Sequence, residues 1–426
     1  MKKIELSLLL SILATLSYSQ DIKEESRDRH HSVKKAIASV QETPQKELDI
    51  VDGFNHMFKD AKTTGQILSL YSGLNYEDSQ DLYATAVGGF LKYELAKYKG
   101  FSGATTFVFS QDVSFLSGSD SKYNSELSSS QKSYTQMSEV YIDYEYSGLK
   151  LRGGRQIIDT PLADSDDIRM VANSFEAYIA TYEYESLSFM GGALLSWQGY
   201  DAGIDDPWTK TGEDNTYFGG LSWSDDLIDA SLWYYNINGV EGDTTANNSY
   251  YGDLVGHFHL SKEFFLHTGV QYLKQDELDK SGVASEIYGA MAEIVAYGAG
   301  LNIAYNKSLK EDNKQSFSGF GGGTLFTSMD NMIVDVIAVD RDVDAIVAGL
   351  SYEYEDFSFL YAYGDFKGSA DSSGQKEHIV EQNIGATYEH EDITVGAIYT
   401  LQEDKENTGA NDGDWNNVRV LLSYNF

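Results

Sequence analysis

The sequence predicts an all-β fold, a transmembrane antiparallel β-barrel of eighteen strands, and three observations carry that prediction. Apolar and polar residues alternate with period 2 in segments of about ten to fourteen residues from Thr63 to the end of the chain, a pattern that helices do not produce. Between the segments, short turns such as Tyr146-Ser147-Gly148, Ser224-Asp225-Asp226 and His390-Glu391 alternate with long polar stretches such as 114–133, 200–214, 309–342 and 404–414. Short turns at one end, long loops at the other and an even strand count are the layout of outer-membrane barrels. Finally, Tyr (31), Phe (20) and Gly (39) are abundant among the 426 residues and Pro is scarce (3), which suits paired strands because Pro cannot donate to a ladder.

Taken in order, the chain opens on Lys2 and Lys3, an apolar run from Ile4 to Leu16 and the small residues Ser17 and Ser19. These mark residues 1–19 as a signal peptide, too short to span a bilayer. Residues 20–62 form a charged N-terminal periplasmic segment, with Arg27, Arg29, His30, His31, Lys34 and Lys35 near its start. It ends in a short amphipathic helix carrying Ile50, Phe54, Met57 and Phe58 at i, i+4, i+7 and i+8, which either caps the barrel floor or enters the lumen as a plug. The barrel occupies 63–426. Its expected strands are 63–75, 83–96, 101–113, 134–146, 149–158, 174–184, 187–199, 215–224, 227–238, 249–260, 263–274, 284–296, 298–308, 343–354, 357–368, 378–389, 392–403 and 415–426. In the last of these Val418, Val420, Leu422, Tyr424 and Phe426 suit lipid, while Asn417, Arg419, Leu421, Ser423 and Asn425 face the other way, towards water. A bilayer core gives backbone groups no water partner, so strands cross it only as a closed barrel. Tyr93, Tyr144, Trp197, Trp223, Trp233 and Tyr352, near segment ends, are expected in the interfacial girdles.

Composition also excludes whole classes. The chain has no Cys, which removes thiol catalysis, disulfides and cysteine-ligated metal or iron–sulfur sites. Lys and Arg number 31 against 66 Asp and Glu, a formal charge of −35, so a phosphate-backbone binder is not expected and nucleic acid is not a partner.

Charge chemistry concentrates at 150–170 and on the closing strand. Lys150, Arg152 and Gln156 share the lumen face of strand 149–158, and Arg155 falls on the wrong parity unless Gly153-Gly154 hosts a bulge that turns it inward. The following loop carries Asp159, Asp164, Asp166, Asp167 and Arg169. Cations on one side of a narrow pore and carboxylates on the other would set up a transverse field of the kind that selects permeant ions. Arg419 adds a cation on the water-facing side of the last strand.

The stretches Leu151-Arg152-Gly153-Gly154-Arg155-Gln156, Asp159-Thr160-Pro161-Leu162, Asp164, Asp167-Ile168-Arg169-Met170 and Phe175-Glu176-Ala177 resemble the OprD-like outer-membrane porins, in the branch found in Campylobacterota. The glycine-rich loop Gly319 to Met329 and the aromatic C-terminus at Phe426 fit the same family. The resemblance spans roughly 50–426. It implies an eighteen-stranded channel for small polar solutes, often trimeric, narrowed by inward-folded loops and lined by a basic ladder. Lys150, Arg152, Arg155, Asp159, Asp164, Asp167, Arg169 and Arg419 are the expected lining and constriction residues. The charged stretch 20–49 departs from the short N-terminus usual in that family.

Other motifs carry less. Gly319, Gly321, Gly322 and Gly323 lack the Lys of a phosphate-binding loop and suit a loop packed over or into the pore mouth. His257 and His259 share a face with Asp253, and His257 would pair with His267 across a turn at 261–263; the pair either binds a transition metal or lines a wet pore. Asp340, Asp342 and Asp344 lack the Gly and Glu of an EF-hand loop. There is no G-x-S-x-G elbow. The expectation is therefore a porin of a Gram-negative outer membrane, passing ions, small carboxylates and amino acids by passive diffusion, with no cofactor, no metal and no enzymatic activity. Its expected partners are outer-membrane lipid and lipopolysaccharide, small hydrophilic solutes and the barrel-assembly machinery acting through Phe426. The alternative is a non-transporting barrel serving as an adhesin or structural surface protein.

Overall fold

The computed structural model describes residues 50–77, 79–165, 169–200, 202–204, 208–239 and 244–426. The signal peptide assigned to 1–19, the charged stretch 20–49, and Asp166 and Asp167 lie outside the described residues. A helix, α1 (Ile50–Lys59), leads into eighteen barrel strands: β1 (Lys62–Tyr76), β2 (Leu82–Tyr98), β3 (Phe101–Asp112), β4 (Ser133–Tyr146), β5 (Leu149–Gln156), β6 (Ser174–Tyr184), β7 (Leu187–Gln198), β8 (Thr216–Ser224), β9 (Ile228–Ile237), β10 (Asn247–Ser261), β11 (Phe264–Glu277), β12 (Ser285–Ala296), β13 (Ala299–Leu309), β14 (Val343–Tyr354), β15 (Phe357–Gly368), β16 (Glu377–His390), β17 (Ile393–Asp404) and β18 (Trp415–Asn425). Thr209–Lys210 adds a two-residue ladder on β7. Each expected strand lies within three residues of the observed one.

Every strand is antiparallel to its chain neighbours, and β1 pairs with β18 from Gln66–Asn425 to Tyr76–Trp415, so the sheet closes with no free edge. Phe426 completes the seam by exchanging two backbone hydrogen bonds with Gly65, each 2.9 Å. Eight connections are only two or three residues long, and the loops at the other end run from five residues (77–81) to thirty-three (310–342). Two-residue turns that match strand twist need positive φ at both positions; Ser147-Gly148 has φ of 49° and 84°, and Tyr297-Gly298 has 54° and 79°.

Side chains sort by parity. On β18, Val420, Leu422 and Tyr424 are 43, 53 and 47% exposed on the outside while Asn417, Arg419 and Ser423 are buried inside. The same outward apolar surface recurs at Ile142, Leu232, Val270, Leu301, Ile303, Leu350 and Ile384. A continuous exposed belt of this kind is stable only in a hydrocarbon solvent. Among the described residues no helix is long and apolar enough to cross a membrane; the outward apolar belt is carried by the strands.

The lumen is partly filled. Loops 157–173 and 310–342 fold inward and pack Leu162, Phe320, Leu325, Met332, Val334 and Ile337 against inward residues such as Phe175, Leu194, Phe218, Tyr235 and Ile287. This corrects the girdle assignment for two tryptophans. Trp197 stacks on Phe175 and meets Phe320 edge-on, and Trp233 stacks on Phe218 and Tyr235. Trp197 sits inside because Phe320 of loop 310–342 supplies an apolar partner there, and Trp233 because the inward strand rings of Phe218 and Tyr235 flank it. Tyr144, Trp223 and Tyr352 do face outward. A second correction concerns α1, which neither caps the floor nor enters the lumen: it packs against the outward residues Tyr93 and Tyr98 of β2.

Candidate functional site

Two groups of charged side chains line the part of the lumen between β1–β5 and β18. The first lies towards the short-turn end. Arg152 grips Asp143 on the facing strand through two bonds, Nε to Oδ1 at 2.6 Å and a terminal nitrogen to Oδ2 at 2.7 Å. Its guanidinium also stacks 3.7 Å from the Tyr141 ring centroid, and Lys92 approaches the same ring at 5.6 Å. The Lys92 ammonium reaches Glu139 at 2.9 Å, and the Thr106 hydroxyl donates to that carboxylate at 2.6 Å. Lys150 lies 3.6 Å from both Asp143 and Glu145, a looser contact with the Lys side chain 40% exposed. Planar guanidinium fits carboxylate in a fork whereas ammonium is a mobile point charge, so Lys150 is the more available of the two cations.

The second group lies where the loops fold in. Arg169, from loop 157–173, bonds Glu126 of loop 113–132 at 2.9 Å and stacks 3.7 Å from the Tyr200 ring. Glu126 also accepts hydrogen bonds from Ser72 (3.1 Å) and Asn124 (3.3 Å). Burial pushes the Glu126 carboxyl up, but the positive charges of Arg169 and Arg419 and the hydrogen bonds outweigh it and hold the group below the usual carboxylate range. Arg419 on β18 bonds Asp330 at the tip of loop 310–342, and the Thr400 hydroxyl donates to the same carboxylate at 2.7 Å. Glu381 on β16 fixes the loop beside it by accepting the backbone N–H groups of Asn331 (3.2 Å) and Met332 (2.7 Å).

The structure therefore brings Lys150 and Arg152 into one group and Arg169 and Arg419 into another, with about 13 Å of strand between Arg152 and the loop entry at Gln156 (four residues at about 3.3 Å each). The other expected residues behave differently. Arg155 is not turned inward: β5 pairs unbroken from Val140–Arg155 to Tyr146–Leu149 and from Leu149–Tyr182 to Gln156–Phe175. Gly154 stays in this register at φ 124°, with the neighbouring strand so close that a Cβ would lie 2.2 Å from the Val140 carbonyl oxygen. Arg155 keeps the outward register of Val140 and stacks 4.2 Å from the Trp208 ring. Asp159 is exposed and accepts the Ser165 N–H at 3.2 Å. Asp164 donates its N–H to Phe320 at 2.8 Å, so its backbone joins the two infolded loops; Asp167 lies outside the described residues.

Sequence reading missed the carboxylates that face the cations, Glu126, Glu139, Asp143 and Asp330, and also Glu381, which holds the loop through backbone N–H groups. For Glu139 and Asp143 a signal existed, since they share the inward parity with Tyr141 on β4; Glu126 and Asp330 sit in loops and had none. His257 does pair with His267, their Nδ1 atoms 2.8 Å apart, and its Nε2 lies 2.5 Å from Asp229. Among the described residues no group of three or more His, Cys, Asp or Glu is arranged to hold a metal ion.

A closed eighteen-stranded antiparallel barrel with an apolar outer belt, a charged lumen and infolded loops defines an outer-membrane-type β-barrel. Solved structures share the whole architecture. OccAB2 of Acinetobacter baumannii superposes with a TM-score of 0.73 at 12% identity, covering 87% of this chain and 99% of that one. OpdK of Pseudomonas aeruginosa, an outer membrane protein also solved with vanillate, gives a TM-score of 0.72 at 15% identity, covering 87% and 99%. OpdL of the same organism gives 0.69 at 14%, covering 86% and 99%. At these identities the likeness is one of fold. No protein-family model matches the chain, and no curated protein sequence does.

Proposed function

We propose that the protein is an outer-membrane porin through which small hydrophilic solutes diffuse passively. The carrying observation is the charged strip of lumen wall, where Lys92, Arg152 and Lys150 form a cationic step faced by Glu139, Asp143 and Glu145, with the more deeply set Arg169–Glu126 and Arg419–Asp330 pairs tying the infolded loops beside it. A solute crossing this strip exchanges hydration for alternating charges of both signs at short range, which favours ions, zwitterionic amino acids and small carboxylates over neutral solutes. Vanillate, the ligand solved with OpdK, is a carboxylate, which supports that substrate class for this chain. The neutralising pairs keep net fixed charge in the strip small, so selectivity should be weak. The 53% exposed Phe426 supports recognition of the C-terminus by barrel-assembly machinery.

Planar-bilayer recording tests the reading: discrete open-channel steps are expected, with reversal potentials near zero in a potassium chloride gradient and entry of small carboxylates in vesicle-swelling assays. The apolar packing of two loops inside the lumen favours one competing reading, a shut barrel that works through its outer loops. A protein that refolds into vesicles and conducts nothing would select it.

A further inference from the structure

Helix α1 occupies a place that solute passage does not require. Gly53 lies so close to β2 that a Cβ there would come within 2.1 Å of the Tyr98 ring, and the Tyr93 hydroxyl donates to the Phe58 carbonyl at 3.1 Å. Both tyrosines point away from the lumen. Tyr93 follows Lys92, whose ammonium reaches inward to Glu139, and Tyr98 pairs with Phe101, which is 51% exposed on the outer wall. The helix thus lies against the outside of the barrel at its short-turn end, two residues before β1 begins.

At 100° per residue, the helix has one apolar arc with two uses. Gly53 and Met57 meet the wall, and Met57 is 5% exposed. Next to them on the arc, Val51, Phe54 and Phe58 remain 62, 55 and 57% exposed. Asp52, Asn55, His56 and Lys59 occupy the opposite side. The uncovered apolar face continues the exposed belt of the barrel at the same end, where Phe101, Tyr146, Tyr182 and Phe426 are 51, 71, 42 and 53% exposed. That belt faces lipid, and a helix seated on it shares its solvent.

We propose that α1 is an interfacial anchor whose Val51–Phe54–Phe58 face is immersed in the phospholipid acyl chains of the inner leaflet of the outer membrane, with Asp52, Asn55 and Lys59 turned to the periplasm. The geometry is that of helices lying in the interface plane, apolar face down and polar face in water. It brings the chain into the barrel from the lipid side, so residue 50 is held beside the rim and clear of the pore.

The chain has no Cys, so single nitroxide labels can be placed without background. Phe54→Cys, Asn55→Cys and Phe58→Cys are made separately in the full chain, labelled, and refolded into phosphatidylethanolamine–phosphatidylglycerol vesicles at high lipid-to-protein ratio. Heat-modifiable migration checks the barrel in each. Collision with oxygen, which partitions into lipid, is compared with collision with a water-soluble nickel complex. Labels at 54 and 58 should favour oxygen several-fold and the label at 55 should favour nickel. Nickel preference at all three sites would overturn the proposal by placing the helix in water. Exclusion of both reagents at 54 and 58 would overturn it by showing protein cover, from a second copy or from the rest of the chain. Sites 54 and 58 are labelled independently, so a variant that fails to refold leaves the other to decide.

Discussion

Removing the Asp330 carboxylate should release the tip of loop 310–342 from the wall, and the size of the effect follows from what that carboxylate holds. Its side chain is 2% exposed and that of its partner Arg419 6%, so Asp330→Ala leaves a buried guanidinium short of its nearest anion. Breaking a buried pair in this way costs about 3–5 kcal/mol, and losing the Thr400 hydrogen bond adds about 1 kcal/mol. Glu126 remains within electrostatic reach of Arg419 and offsets part of the loss, so about 3 kcal/mol is expected. Urea unfolding in detergent, followed by heat-modifiable migration, measures it for Asp330→Ala, Arg419→Met and the double variant. The double variant removes both charges, so it should be less destabilised than the sum of the singles, with a coupling of at least about 1.5 kcal/mol. Asp330→Ala should also raise single-channel conductance, because the infolded loop loses one of its ties. Additivity of the two substitutions to within about 0.5 kcal/mol would refute the reasoning, since it would mean that the two charges do not share a low-dielectric contact.

Arg152→Gln should shift the reversal potential in a salt gradient towards cation selectivity, because Asp143 loses its bidentate partner, whereas Arg155→Gln should leave the reversal potential unchanged, its guanidinium lying on the outward register against Trp208. Glu126 is held below the usual carboxylate range in the folded protein, so its contribution to stability is fully present above the unfolded value near 4.5 and is lost as pH falls through the lower folded value; protease cleavage within 113–132 should accordingly become faster below about pH 4, and an unchanged rate there would argue against a stabilising Glu126–Arg169 contact. Gly321→Ala, at φ 114° and with the new Cβ 2.5 Å from the Asp164 carbonyl oxygen, should separate loops 157–173 and 310–342 and increase conductance noise in single-channel records, at a stability cost of about 1–3 kcal/mol.

The sequence by itself determined the barrel. Alternation with period 2 decides which face of each strand meets lipid, and turn length decides which strands are neighbours; both are local properties, so all eighteen strands could be placed within three residues. Parity alone also puts Lys150 and Arg152 on one face of β5, the face on which Arg152 meets Asp143. Only the tertiary structure decided what the inner wall faces. Glu126, Asp330 and Glu381 meet their partners across sequence separations of 43, 89 and 49 residues (Arg169, Arg419 and Met332), and nothing in a loop's own sequence says which wall it will touch. The inward tryptophans follow from tertiary contacts too: Trp197 reads as interfacial until Phe320 of an infolded loop meets it, and Trp233 until the rings of Phe218 and Tyr235 flank it. For Arg155, the Gly153-Gly154 pair marked where the backbone departs from the ideal strand but not how: Gly154 takes a positive φ against β4 while the pairing on both sides stays in register, so no bulge turns Arg155 inward. Helix α1 showed its apolar arc in sequence, yet whether that arc meets the lumen or the outer wall depends on Tyr93 and Tyr98, whose outward direction is set by the register of β2 with β1 and β3. Local patterning specifies elements and faces because it acts through neighbouring residues; the charge pairs, loop docking and helix seat depend on contacts made only after the barrel has closed.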